Sequence, residues 1–220
     1  MSYYSIAIDG PAGAGKSTIA KSLANKLGFI YVDTGAMYRA ISLYFIRNNI
    51  DALDTKSIKE ACKDIDITIE YKNGEQIVLL NKENVNSFIR TEAIGKMAST
   101  TSAYSDVRIK LLELQRNLAK TSNVIMDGRD IGTCVLPNAN LKIYLTASVE
   151  ERALRRYNEL KTKNIECNLE QIMKDIEDRD YADMNRDMSP LKQSEDAILI
   201  DSSTMTIYEV VDKIIELTTF

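Results

Sequence analysis

"GPAGAGKS", Gly10–Ser17, decides how this chain is read. It fits the pattern G-x-x-x-x-G-K-[ST] and lies between a short apolar run, Ser5–Ile8, and a helical pattern, Lys16–Leu27. Glycines let backbone N–H groups close on a phosphate in conformations that a Cβ forbids. The helix that follows turns its positive end toward the anion. Gly10, Pro11, Ala12, Gly13, Ala14 and Gly15 then form the cradle, and Thr18 extends it into the helix. Lys16 reaches the β- and γ-phosphates, and the Ser17 hydroxyl ligates Mg2+. A glycine-rich turn ahead of a helix is the plain alternative, but the strand–loop–helix setting favours a nucleoside triphosphate. The loop does not say what becomes of that triphosphate, because switches, motors and kinases share it.

Outward from the loop, the pattern is one of short strands alternating with amphipathic helices. Ile19, Ala20, Leu23, Ala24 and Leu27 fall on one face of the first helix, and Gly28 stops it. Phe29–Val32 predicts a second strand and Ala36–Arg47 a second helix. Strands are also predicted at Val124–Met126, Leu141–Leu145 and Ala197–Asp201, and a closing helix at Thr206–Leu217. This alternation predicts an α/β fold with a five-stranded parallel sheet covered on both faces. Between the second helix and the third core strand the pattern changes. "IDITIEYKNGEQIVLL" alternates apolar and polar residues around Asn73-Gly74, a strong hairpin signal. We read Asp64–Asn86 as the sheet of a small inserted lobe spanning about residues 64–105. A helical stretch from Thr91 to Lys120, broken near Tyr104, follows it. Val149 to Arg186 reads as one long helical, arginine-rich segment.

Composition narrows the chemistry. The 220 residues carry a net charge of −4, which argues against non-specific nucleic-acid binding. Cys62, Cys134 and Cys167 make neither a disulfide framework nor a zinc pattern. Histidine is absent, so triads and histidine acid–base catalysis are excluded. No signal peptide and no membrane-spanning run are read, so a cytoplasmic location is expected. One domain over 1–220 and a monomeric state are expected as well.

"VIMDGRDIG" follows the third core strand. Asp127 at that strand's end suits a second Mg2+ position; an acidic cap on the next turn is the alternative. Arg152, Arg155 and Arg156 cluster on one helical stretch, and Arg179, Asp183 and Arg186 are spaced i, i+4 and i+7. Solvated helix faces explain such spacing in many chains. Beside a phosphate loop, arginines that clamp transferring phosphoryl oxygens explain it better. Two arginine groups suggest two phosphate-bearing clients, a donor and an acceptor. "NKEN", Asn81–Asn84, resembles a guanine-reading motif but ends in Asn and falls in the hairpin lobe, so we read it as turn and strand-edge residues. An ATPase that moves a partner is the remaining non-kinase class.

"YVDTGAMYRA", "IRTEAIGKMAS", "VIMDGRDIGT", "LTASVEERALRR" and "EDRDYADMNRDMSPL", together with "IDGPAGAGKST", resemble the bacterial cytidylate kinases in order along nearly the whole chain. The resemblance implies transfer of the γ-phosphate of ATP to CMP or dCMP, with UMP or another small phosphorylated acceptor as the alternative. It implies a doubly wound P-loop core, a CMP-binding insert and a short helical lid over about 149–165. It places Thr34, Ser99, Arg108 and Asp130 in the base pocket. Thr34 stands where some family members carry Ser. By the same likeness Arg39, Arg129 and Arg186 grip the acceptor phosphate, and Arg179 and Asp183 hold the sugar hydroxyls. Arg152, Arg155 and Arg156 touch the donor phosphates. The reacting centre would be Lys16, Asp127, Arg129 and Arg186, with Mg2+ on Ser17 and Asp127. Cytosine offers an amino donor beside two acceptors, which a carboxylate, a hydroxyl and an arginine complement.

Overall fold

The computed structural model describes residues 3–219. β1 (Ser5–Asp9) leads through the glycine-rich loop into α1 (Lys16–Leu27), and β2 (Ile30–Asp33) into α2 (Thr34–Arg47). α3 (Thr55–Asp64) precedes the antiparallel strands β3 (Ile67–Lys72), β4 (Glu75–Leu80) and β5 (Glu83–Asn84). α4 (Glu92–Thr101) and α5 (Ser105–Thr121) lead to β6 (Val124–Gly128). A π-helical turn, Ile131–Val135, comes before β7 (Leu141–Thr146). α6 (Val149–Thr162), α7 (Leu169–Asn185), β8 (Ile198–Asp201) and α8 (Ile207–Glu216) complete the chain.

The larger sheet has the order β2-β6-β1-β7-β8, and β3-β4-β5 form a separate small sheet. β1 pairs in parallel with β7, Ile6 opposite Leu141 and Ile8 opposite Ile143, and β7 with β8 in the same sense. This is the α/β, doubly wound architecture that the sequence predicts. The connection from β1 runs toward one edge of the sheet and the connection from β6 toward the other. The loops after these two strands therefore flank a topological switch point, the place where open α/β sheets take their ligands.

The chain divides into two compact units. One is built from Tyr4–Phe29 and Ile125–Phe220. Its β1 strand is buried throughout, as both-face coverage of a parallel sheet requires. α1 buries Ile19, Ala20, Leu23 and Ala24 and packs against α8, whose Val210, Val211 and Ile214 are buried. Thr206 and Glu209 close a capping box at the start of α8. The other unit is Ile30–Val124, where Met37, Ile41 and Phe45 of α2 are fully buried and α2 packs against α4, α5 and β4. Asn73 and Gly74 both take positive φ, 53° and 77°, as a two-residue primed turn demands. Asn81 and Lys82 do the same between β4 and β5, so "NKEN" is turn and edge strand.

Several boundaries differ from the sequence reading. α3 was not expected; it is a short helix capped by Asp54, which accepts from the Ser57 amide, and it buries only Ile58, Ala61 and Cys62. α2 starts at Thr34 and not at Ala36, because the Asp33 carboxylate caps it. The segment from Val149 to Arg186 is two helices. Asn164 in the left-handed region (φ 55°) ends the first, and Asn168 caps the second. α7 stops at Asn185, so Arg186 stands in extended backbone and does not continue the face of Arg179 and Asp183.

Gly10 marks where the loop meets the sheet. It sits at φ 148°, and a Cβ there would overlap the Leu145 carbonyl oxygen of β7. Gly10→Ala is expected to lower unfolding free energy by at least about 3 kcal/mol. A urea midpoint close to that of the parent chain would show that the loop accommodates a side chain.

Candidate active site

The loop after β1 is built from left-handed glycines, Gly13 at φ 78° and Gly15 at φ 86°, the latter capping α1. Lys16 is buried, and its Nζ donates to the Pro11 carbonyl at 2.6 Å, folding the lysine over its own loop. Burial, and then the Arg129 charge, hold Lys16 well below the usual lysine range, while Asp127 and Asp9 pull it back up. The Ser17 hydroxyl donates to Asp127 Oδ2 at 2.9 Å, so the loop and the end of β6 meet as the sequence predicts. A hydroxyl and a buried carboxylate are hard oxygen donors of the kind Mg2+ takes. Among the described residues no group of three or more acidic, Cys or His side chains could hold a metal. A cation here would complete its shell with phosphate oxygens and water, which is how Mg2+ usually enters such sites.

The loop after β6 carries the acceptor-side residues of this unit. Arg129 Nε donates to Asp183 Oδ2 at 2.8 Å. Arg186 lies 3.8 Å from both Asp183 and Asp130, and its Nε donates to the Ser189 carbonyl. Burial alone would raise the Asp183 carboxyl; the charges of Arg129, Arg179 and Arg186 outweigh it and hold Asp183 below the usual range. Arg129, Asp130, Arg179, Asp183 and Arg186 thus share one electrostatic cluster. Asp9 was missed. Both oxygens of this buried carboxylate accept backbone N–H groups, from Ile131 and Gly132, at 2.7 Å each. Nothing in the sequence pairs Asp9 with a turn so far along the chain.

The three arginines of α6 do different things. Arg152 is buried; its Nε donates to the Ala147 carbonyl, Nη1 to the Ala12 carbonyl at 3.0 Å, and Nη2 pairs with Asp180 at 2.7 Å. It therefore grips the outside of the phosphate loop. Arg155 bonds Glu151 and the Ser202 carbonyl, and Arg156 pairs with Glu159 at the surface. Glu151 and Arg155 line a cavity of about 490 Å³ with Ala14, Thr18 and Ser202 to Ile207. The β8–α8 loop is a further element the sequence reading left out; the only signal for it was the capping pattern at Thr206.

In the other unit, Thr34 is the buried first residue of α2. The turn before it is held by Gln76, which accepts from the Asp33 amide at 2.8 Å and donates to the Asp33 carbonyl at 3.1 Å. Arg90 adds a 2.6 Å bond to the Asp33 carboxylate. Arg39 donates to the Ile89 carbonyl and lies against Gly95, where a Cβ would sit 3.4 Å from its Nη1. Arg108 is buried, bonds the Ser102 carbonyl and lies over the Tyr38 ring at 5.6 Å. Ser99 is half-buried on α4. Gln76 and Arg90 were not anticipated, because they act on backbone and on a cap that sequence spacing does not reveal.

The Arg152–Asp180 pair makes a stability prediction. Arg152→Ala leaves a buried carboxylate and two loop carbonyls without their donor. It is expected to cost about 3–5 kcal/mol, against less than about 1 kcal/mol for Arg156→Ala at the surface. Equal denaturation midpoints for the two variants would refute the buried clamp.

The model of the cytidylate kinase family matches residues 6–219. A cytidylate kinase of Caldicellulosiruptor saccharolyticus is 52% identical over 217 residues, covering 99% of this chain and 96% of its own length. One from Clostridium botulinum is 50% identical over 210 residues, covering 96% and 95%. An uncharacterized protein from Eubacterium ventriosum, solved by crystallography, is similar in fold, with a TM-score of 0.55 at 12% identity over 97% of each chain. With a phosphate loop, a carboxylate beside it and an arginine cluster already in place, a likeness of this extent makes the chain a member of the cytidylate kinase family.

Proposed function

We propose that the protein transfers the γ-phosphate of ATP to CMP or dCMP, giving ADP and CDP or dCDP. The observation that carries this reading is the convergence, at one switch point, of Lys16, the Ser17–Asp127 pair and the Arg129–Asp183–Arg186 cluster. The full-length likeness to enzymes named cytidylate kinase supports CMP as the acceptor.

The loop from Gly10 to Thr18 holds the donor phosphates, and the cavity along Ser202 to Ile207 takes the donor nucleoside. Ser17 and Asp127 would hold Mg2+, which neutralises charge on the β- and γ-phosphates when bound. Lys16 leaves its Pro11 carbonyl for phosphate oxygens. The acceptor phosphate is already ionised, so the protein supplies no strong base, consistent with a chain that has no histidine. Its work is alignment and charge neutralisation. Arg39, Arg129 and Arg186 grip the acceptor phosphate, and Arg179 and Asp183 the sugar hydroxyls. Thr34, Ser99, Arg108 and Asp130 read the base. Arg155 and Arg156, in a lid over about 149–165, turn to the donor phosphates, and Arg152 keeps the loop in shape beneath them. Closing the lid keeps water from the transferring group. A cytoplasmic monomer is part of this reading; no helix among the described residues is long and apolar enough to cross a membrane.

An ADP-release assay over a panel of nucleoside monophosphates tests the proposal. CMP and dCMP should be turned over far better than UMP, and AMP and GMP hardly at all. Uracil replaces the amino donor with a carbonyl and puts a proton on N3, so Asp130 faces an acceptor and Arg108 a donor. Each mismatch costs roughly 1–3 kcal/mol, and two give on the order of 10²-fold discrimination in kcat/KM. Asp130→Ala should erode that discrimination, because the repulsion of uracil leaves with the carboxylate. Full discrimination in this variant would remove Asp130 from the base pocket. Lys16→Ala should lower kcat by about 10²-fold or more with the fold intact by circular dichroism. Near-normal turnover would contradict the phosphate-loop assignment.

A further inference from the structure

Asp9 is the last residue of β1, immediately before Gly10 of the phosphate loop. Its charge supports the charged form of Lys16, but its hydrogen bonds go elsewhere. It reaches the turn that follows Arg129 and Asp130, where its two oxygens accept the N–H groups of Ile131 and Gly132 at 2.7 Å each. The turn cannot supply this cap itself: Asp130 precedes it at φ −147°, and its side chain makes no cap bond. The Asp130 carbonyl instead accepts from Cys134 and Val135 inside the turn. Backbone bonds to a buried carboxylate are charge-assisted and short.

We infer that Asp9 is a positioning residue, which fixes the turn bearing Arg129 and Asp130 to the base of the loop that holds the donor phosphates. The inference rests on the kinase reading above and deepens it. Arg129 and Asp130 leave β6 in directions set by the two amides that follow them. Arg129 then reaches Asp183, and Arg186 lies near both Asp130 and Asp183. Phosphoryl transfer needs the acceptor oxygen placed against the donor phosphorus, and a displacement of about 1 Å costs on the order of 10²-fold in rate. One carboxylate with two short bonds ties the donor and acceptor parts of this unit together. Its burial has a chemical signature, since desolvation pushes the Asp9 carboxyl up to about 6 even with two N–H donors on it. Packing leaves little slack, as a Cβ on Gly132 would lie 3.2 Å from Lys142 Cδ and 3.3 Å from Asp9 Oδ2.

Two variants test this. Asp9→Asn keeps the shape, removes the charge and turns an NH2 toward a backbone N–H. Gly132→Ala keeps the charge and presses a methyl against Asp9 Oδ2 and the Lys142 side chain, so that the turn and Asp9 shift by a few tenths of an ångström. Steady-state kinetics with CMP and equilibrium binding of ATP are measured for both, with folding checked by circular dichroism. Both should lower kcat/KM for CMP by about tenfold or more through kcat and the CMP KM together. ATP affinity should hold, since the hydrogen bonds of Asp9 go to the turn and none of them to the phosphate loop. If Asp9→Asn does not fold, Gly132→Ala decides. Unchanged kcat/KM for CMP, or ATP affinity falling in step with it, would overturn the positioning role in favour of a general structural one. A parent chain that releases no ADP in response to CMP would overturn the kinase reading itself, before any variant is compared.

Discussion

A triphosphate can be wrapped by backbone N–H groups only where the chain brings its main chain bare to the end of a strand. Gly10 is where this protein meets that demand. It passes so close to the Leu145 carbonyl that no side chain fits. The parallel pairing of β1 with β7 puts Leu145 there. The left-handed glycines Gly13 and Gly15 then turn the chain into α1 with its positive end toward the loop. The rest of the site is arranged around that approach. Arg152 braces the loop from outside through the Ala12 carbonyl, and Asp127 meets it through Ser17. If the approach of loop to strand were looser, these contacts would lose their partner.

The second organising feature is buried charge. Lys16, Asp9, Asp127, Asp183, Arg186 and the Arg152–Asp180 pair are well shielded from water within one unit, and Arg129 beside them is partly so. Burying ions is costly, and well-packed apolar residues would often serve stability as well or better. Such a cluster at a sheet's switch point is therefore better explained by a ligand that brings its own charge. Lys16 points the same way. Held below its usual range and hydrogen-bonded, among the described residues, to a neutral carbonyl, it gains most when anionic oxygens replace that carbonyl.

What could be read from the sequence was local. The phosphate loop, the first helix with its buried face, and the Asn73-Gly74 turn each carry their signal within a few residues, and the structure has them where the pattern puts them. The split of the Val149–Arg186 segment was missed because Asn164 and Asn168, although a stop and a cap, sit among strong helix formers. The site was legible in its residue types but not in their wiring. Asp9 acts on amides 122 and 123 positions away, Gln76 on the backbone of Asp33, and Arg90 on the cap of α2. These contacts exist only once the strands are paired, and no spacing rule anticipates them. Arg152 shows the converse: its type and place suggested a phosphate ligand, while in this structure it bonds one carbonyl of the phosphate loop, the Ala147 carbonyl after β7 and the Asp180 carboxylate.

The central claim is that a phosphoryl group passes from the donor to a cytidine monophosphate and not to water. Following the label from γ-labelled ATP tests it most directly, with the purified chain, Mg2+ and CMP present together. The account predicts label in CDP in step with ADP formation, and almost none in inorganic phosphate. Label released as inorganic phosphate at the same rate with or without CMP would contradict it, and would make the protein an ATPase built on the same loop.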